Sequence, residues 1–199
     1  REFEEICEAM AKTGIYVDFI TIDGAEGGTG AAPLEFTDHV GMPLFDALTF
    51  ARKTLSKFRL PSKIIVSGKI ITAFDVLRAV ALGADACYSA RGMMLSLGCI
   101  QALQCDSGKC PVGITTQNKR LYRGLDVTDK RVRVANFHRN TMEATVELME
   151  ACGYKSLADV SADDFYRRIN RFEIRSLNEI YFNDEQNFET RNEVFTCLN

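Results

Sequence analysis

Residues 1–92 alternate between helical periods and short strand-like runs, and this pattern limits the chain to few folds. The runs are residues 17–23 (Val-Asp-Phe-Ile-Thr-Ile-Asp), 63–67 (Lys-Ile-Ile-Val-Ser) and 85–89 (Asp-Ala-Cys-Tyr-Ser). The first reads as a buried strand and the other two as short strands, and the stretches between them are long enough for a helix. Parallel neighbours cannot be joined by a tight turn, so strands alternating with helices predict a parallel sheet with helical crossovers. The helices mark their own ends. Phe3, Ile6, Cys7 and Met10 fall at helical spacing, and Gly14 stops that run. Leu44, Leu48, Ala51 and Leu55 mark a second helix between Pro43 and Pro61. Thr72 and Asp75 form a capping-box start for a third, which carries Phe74, Leu77, Val80 and Ala81 and closes at Gly83. Three parallel strands do not close a barrel, and a (β/α)8 barrel needs about 250 residues. The expectation is an α/β chain forming the last three βα units of a (β/α)8 TIM barrel. It would be the C-terminal piece of a longer polypeptide, with the rest of the sheet supplied by upstream sequence or another chain.

The pattern changes after residue 92, and the chain divides into three parts. Residues 1–92 hold the βα units, 93–128 a cysteine-bearing segment passing from helix to loop, and 129–199 C-terminal helices and a tail. Residues 129–152 read as a long helix with Val134, Phe137, Ala144 and Leu148 on one side and Gly153 at its end. Ser161 and Asp164 predict a further short helix near Phe165 and Ile169. The last twenty or so residues are polar and read as a tail or docking arm.

Three constellations point to chemistry. Four glycines, at 24, 27, 28 and 30, follow the first strand directly. Glycines in that density let a backbone approach a ligand and aim N–H groups at it; a tight turn with no ligand is the plainer alternative. The order matches neither a dinucleotide fingerprint nor a Walker A loop. Next, Ser67-Gly68-Lys69 ends the second strand and Ala90-Arg91-Gly92 follows the third. In barrels the loops after the last two strands commonly bind phosphate, so this pair of corners favours a phosphate-bearing cofactor over two solvated cations. The third constellation is Cys99-x5-Cys105-x4-Cys110-Pro111. Three thiolates within twelve residues suit an iron–sulfur cluster, either three-iron or four-iron with one open iron. Zinc is a rival, but the sequence has no C-x2–4-C knuckle, and His39 and His138 lie far away along the chain. Three buried structural cysteines are the remaining alternative.

Composition bears on compartment and partners. Seven cysteines, an odd count in periodic contexts apart from the trio, argue against a disulfide framework and for a reducing, cytoplasmic setting. A net charge of −3 without a basic block argues against nucleic acid. No apolar run approaches the roughly 18 residues of a membrane helix.

The run Ile22-Asp23-Gly24-Ala25-Glu26-Gly27-Gly28-Thr29-Gly30-Ala31-Ala32-Pro33, the Ser67-Gly68-Lys69 corner, and the stretch from Gly98-Cys99 through Cys110-Pro111-Val112-Gly113-Ile114-Thr115-Thr116-Gln117 together resemble the glutamate synthase family. The likeness is greatest to its short FMN-binding members, and Asn136-Phe137-His138-Arg139-Asn140 also looks like that group. The resemblance implies an FMN barrel and a [3Fe–4S] cluster on Cys99, Cys105 and Cys110. Gly27, Gly28, Thr29 and Gly30 would line the flavin and substrate side, and Ser67, Gly68, Lys69, Ala90 and Arg91 would hold the FMN phosphate. The implied reaction is the reductive amination of 2-oxoglutarate, with an ammonia donor, through 2-iminoglutarate to L-glutamate. Electrons would come from an NADPH-oxidising subunit or a ferredoxin. Larger members carry Asp-Gly-Gly and Gly-Ser where this chain has Ser67-Gly68-Lys69 and Ala90-Arg91. The alternatives are an N-methylglutamate-synthase-like FMN subunit and a non-catalytic iron–sulfur electron-transfer module. An electron carrier needs neither the glycine loop nor the phosphate corners. This piece alone is expected to be inactive and not to fold without its missing barrel half.

Overall fold

The computed structural model describes residues 1–24, 32–33, 35–36 and 39–183. Helix α1 (Glu2–Thr13) ends where Gly14 takes φ 70° and donates its N–H to Met10 O. Strand β1 (Phe19–Asp23) follows, then α2 (Leu44–Lys57), β2 (Lys63–Ser67), α3 (Ala73–Ala81) and β3 (Ala86–Tyr88). The three strands form one parallel sheet in the order β1-β2-β3, with Phe19 opposite Lys63 and Ile65 opposite Ala86. The predicted alternation is therefore an α/β fold with a parallel sheet. The capping box at α3 is formed from both sides: Asp75 N–H donates to Thr72 Oγ1, and the Asp75 carboxylate accepts from Thr72 N–H at 2.9 Å.

One face of the sheet makes the core. Ile64 and Val66 of β2 are fully buried against Leu44, Leu48 and Leu55 of α2 and Leu77 of α3, with Cys7 and Met10 of α1 closing one end. The other face is bare: Phe19 is 54% and Tyr88 50% exposed. Among the described residues, β1 and β3 each have a single neighbouring strand.

Beyond β3 the chain forms α4 (Arg91–Ser96), a run of turns, α5 (Lys119–Tyr122) and the long α6 (Val127–Ala151). Helix α6 packs across both α3 and α4. The short helix expected near Phe165 and Ile169 is instead an antiparallel hairpin, β4 (Tyr166–Arg168) with β5 (Ile174–Ser176). The Asp164 carboxylate accepts from Tyr154 Oη at 2.6 Å rather than capping a helix. Asn170 Oδ1 accepts from Phe172 N–H at 2.9 Å and shapes the hairpin turn. A helix does start nearby, at α7 (Leu177–Tyr181), under a capping box of Ser176 and Glu179. Residues 129–183 thus hold a hairpin as well as helices. The tail read into the last twenty or so residues falls at 184–199, outside the described residues.

Candidate functional site

The register brings the strands to a common finish, since Asp23 pairs with Ser67 and Ser67 with Tyr88. Everything that leaves their C-terminal ends therefore meets at one end of the sheet. Gly24 N–H donates to Ser67 O at 3.0 Å, and the start of α2 lies directly on Gly24. A Cβ at position 24 would sit 2.5 Å from Leu44 Cβ, so only glycine fits there. At the next corner Gly68 has φ 140° and Lys69 φ 50°, a turn that needs glycine at its first position. Ser89 Oγ donates to Ile70 O at 2.7 Å and ties this corner to the one after β3. Ala90 then caps α4, and Arg91 is its first residue. Five expected phosphate-site residues (Ser67, Gly68, Lys69, Ala90 and Arg91) thus lie at adjacent strand ends. Gly27, Gly28, Thr29 and Gly30 lie outside the described residues.

The cysteine trio adjoins this corner. Cys99, Cys105 and Cys110 line one cavity of about 150 Å³, and Ala90, Arg91 and Met94 form part of its wall. Gly92 sets α4 against α6: a Cβ there would lie 2.8 Å from both the Phe137 ring and Ser89 Oγ, so its absence lets α4 press onto α6. Two non-glycine residues between Cys99 and Cys105 adopt left-handed backbone, Gln101 at φ 55° and Leu103 at φ 52°. Such strain persists only where its surroundings impose it, and no residue pattern announced it. Among the described residues, no three His, Cys, Asp or Glu side chains converge closely enough to hold a single metal ion. A cluster differs, because each cysteine binds its own iron and the sulfurs need not meet at a point.

The cysteines also differ in electrostatics. The Cys110 thiol is drawn down to about 7, chiefly by the backbone N–H of Thr115. Burial acts against this, and the N–H groups of Ile114 and Val112 add to it. Cys99 Sγ accepts a hydrogen bond from Gln101 N–H at 3.4 Å. Cys87, in β3, is pushed up to about 11 by burial, and burial likewise raises Cys7. The trio therefore sits on a segment that offers hydrogen bonds to sulfur, while Cys7 and Cys87 are protonated core thiols. His138 is exposed on α6, far from a ligand's role.

The sequence profile described as the conserved region in glutamate synthase matches residues 2–155. The chain belongs to the glutamate synthase family. It is 43% identical over 157 residues to the glutamate synthase large subunit-like protein YerD of Bacillus subtilis, covering 78% of this chain and 30% of that protein. It is 41% identical over 142 residues to the archaeal glutamate synthase (NADPH) of Methanocaldococcus jannaschii, covering 70% and 28% respectively. A ferredoxin-dependent glutamate synthase 2 of Synechocystis is 32% identical over 198 residues, which is 97% of this chain and 12% of that protein. The chain thus spans less than a third of the length of these glutamate synthase relatives. The β4–β5 hairpin and α7 lie beyond the matched family region.

Proposed function

We propose that this chain supplies the phosphate corner and the iron–sulfur segment of an FMN-dependent glutamate-synthase-type oxidoreductase. The reaction is the reductive amination of 2-oxoglutarate, through 2-iminoglutarate, to L-glutamate. The observation that carries this reading is the single cavity shared by Cys99, Cys105 and Cys110 and walled by Ala90-Arg91 at the end of β3. Three thiolates facing one space are the donor set of a [3Fe–4S] cluster, and the adjoining strand ends offer backbone N–H groups and two cations to a phosphate. A flavin bound there supplies hydride to a carbon–nitrogen double bond, and a cluster supplies it with electrons. The chain's own residues position and shield. Ser67, Gly68, Lys69, Ala90 and Arg91 anchor the phosphate, and Gly27, Gly28, Thr29 and Gly30 line the flavin and substrate side. Cys99, Cys105 and Cys110 hold the cluster beside that anchor.

The bare sheet face fits the same reading. Parallel sheets are ordinarily covered on both faces. A face carrying exposed Phe19 and Tyr88 is what the inner wall of a (β/α)8 barrel presents when its other strands are taken away. Relatives named for NADPH and for ferredoxin support either as the ultimate electron donor.

The test uses full-length protein. Cys105→Ser is expected to lose iron, by metal analysis and by the electron paramagnetic resonance of the oxidised cluster, while keeping FMN. Retention of all three irons refutes the ligand assignment. Wild-type protein without bound FMN, or without glutamate formation from 2-oxoglutarate and ammonia under reducing conditions, refutes the enzyme reading.

A further inference from the structure

A second cavity, of about 510 Å³, lies away from the cysteines, between the helical layer and the C-terminal hairpin. Three parts of the chain wall it: Phe45 and Asp46 at the start of α2, Arg78 on α3, and Phe165, Arg167 and Tyr181 from the C-terminal segment. Its size falls within the roughly 300–1,000 Å³ of small-molecule sites.

Its charges are of both signs. The Arg78 guanidinium lies over the Phe45 ring at 4.0 Å, which fixes its plane. Its only protein hydrogen bond among the described residues runs from Nη2 to Asp75 Oδ1 at 3.3 Å, and its Nε is buried without a partner. A guanidinium has five N–H donors, so the described residues use little of this one's capacity. Asp46, Arg78 and Arg167 thus bring one negative and two positive groups to the same cavity, and Arg167 also hydrogen-bonds the Tyr181 hydroxyl.

This arrangement selects by charge. A simple anion would face Asp46, and a simple cation would face two arginines. A ligand carrying a carboxylate and an ammonium on one carbon satisfies both, and the aromatic walls receive an apolar side chain. We propose that this cavity binds a free α-amino acid with an apolar side chain, its carboxylate held by Arg78 and Arg167 and its ammonium by Asp46. This cavity shares no lining residue with the one that holds the cysteine trio.

The test is calorimetric titration of the full-length protein with L-phenylalanine, L-leucine, 3-phenylpropionate and 2-phenylethylamine. Saturable binding of L-phenylalanine or L-leucine is expected, at least tenfold tighter than that of either single-charge analogue. Asp46→Asn is expected to weaken L-phenylalanine at least tenfold and leave 3-phenylpropionate unchanged or tighter. Arg78→Lys, which keeps the charge but loses the fork, is expected to weaken both carboxylates, with circular dichroism confirming the fold. No saturable binding of either amino acid, equal affinity for 3-phenylpropionate, or affinity unchanged in Asp46→Asn overturns the proposal. Cys105→Ser protein is expected to bind the amino acid as wild type does, so this outcome is read independently of the cluster.

Discussion

Replacing Asp85 with asparagine tests the end of the sheet opposite the cofactor corner. The Asp85 carboxylate precedes β3 and joins three elements. It accepts from Ile64 N–H at 2.9 Å, from Arg52 Nη2 of α2 at 2.8 Å and from Lys63 Nζ at 3.0 Å. Arg52 also donates through Nε to Gly83 O at 2.8 Å, so the same contact fastens the end of α3. Burial alone would raise the Asp85 carboxyl. The Ile64 N–H, Lys63 and Arg52 outweigh it and hold the group below the usual carboxylate range. Ile64 N–H and Arg52 Nη2 share Oδ2, so an asparagine oxygen can still face both, but it lacks the charge that strengthens these bonds and turns its NH2 toward Lys63. The Lys63 pair adds little, because that side chain is 69% exposed. The Arg52 pair, with 31% and 27% side-chain exposure, and the Ile64 bond together lose about 2 kcal/mol, allowing for solvent screening. Urea unfolding of the protein at pH 7 measures this as a midpoint shift of roughly 1 M. The pH dependence carries the sign. Because the folded pKa is depressed, the carboxylate's contribution is complete above the unfolded value of about 3.9 and fades as pH falls through the lower folded value. Wild type and Asp85→Asn should therefore converge in stability on acidification below about pH 4. A difference that stays constant from pH 7 to the acid limit would refute the assignment of this stability to the charged group.

Gly24→Ala is expected to destabilise by about 1–3 kcal/mol through the clash with Leu44, and thermal unfolding measures it. Loss of FMN from that variant in step with its stability would show that α2 holds the strand end in place. Arg91→Ala is expected to weaken FMN more than riboflavin in equilibrium dialysis; equal losses would move Arg91 away from the phosphate.

The parallel sheet was legible in the sequence because its signals are local. Alternation of strand and helix periods, the Thr72–Asp75 capping box and the stops at Gly14 and Gly83 each depend on neighbours a few residues away. The cysteine trio was legible by spacing. Its place just past the third strand, beside Ala90-Arg91, was legible too; the close packing of α4 on α6 was not, because it rests on Gly92 meeting Phe137, 45 positions later in the chain. The hairpin at β4–β5 was misread because Ser161 and Asp164 look like a cap until the distant Tyr154 hydroxyl takes the carboxylate. The second cavity escaped entirely. Asp46, Arg78 and Arg167 read singly as surface charges, and only the tertiary fold brings them to one cavity.

Gly92 also has a meaning for electrons. Tunnelling between two redox centres weakens exponentially with the gap, so a protein that relays charge must hold its centres at a fixed spacing. On the reading proposed above, α4 starts at the phosphate residue Arg91 and leads toward Cys99, and a Cβ at position 92 would lie 2.8 Å from both the Phe137 ring and Ser89 Oγ, so a larger residue there would push α4 out of place. The smallest side chain in the segment would then act as a spacer that sets a rate, and a mutation that left every ligand in place would still slow the current.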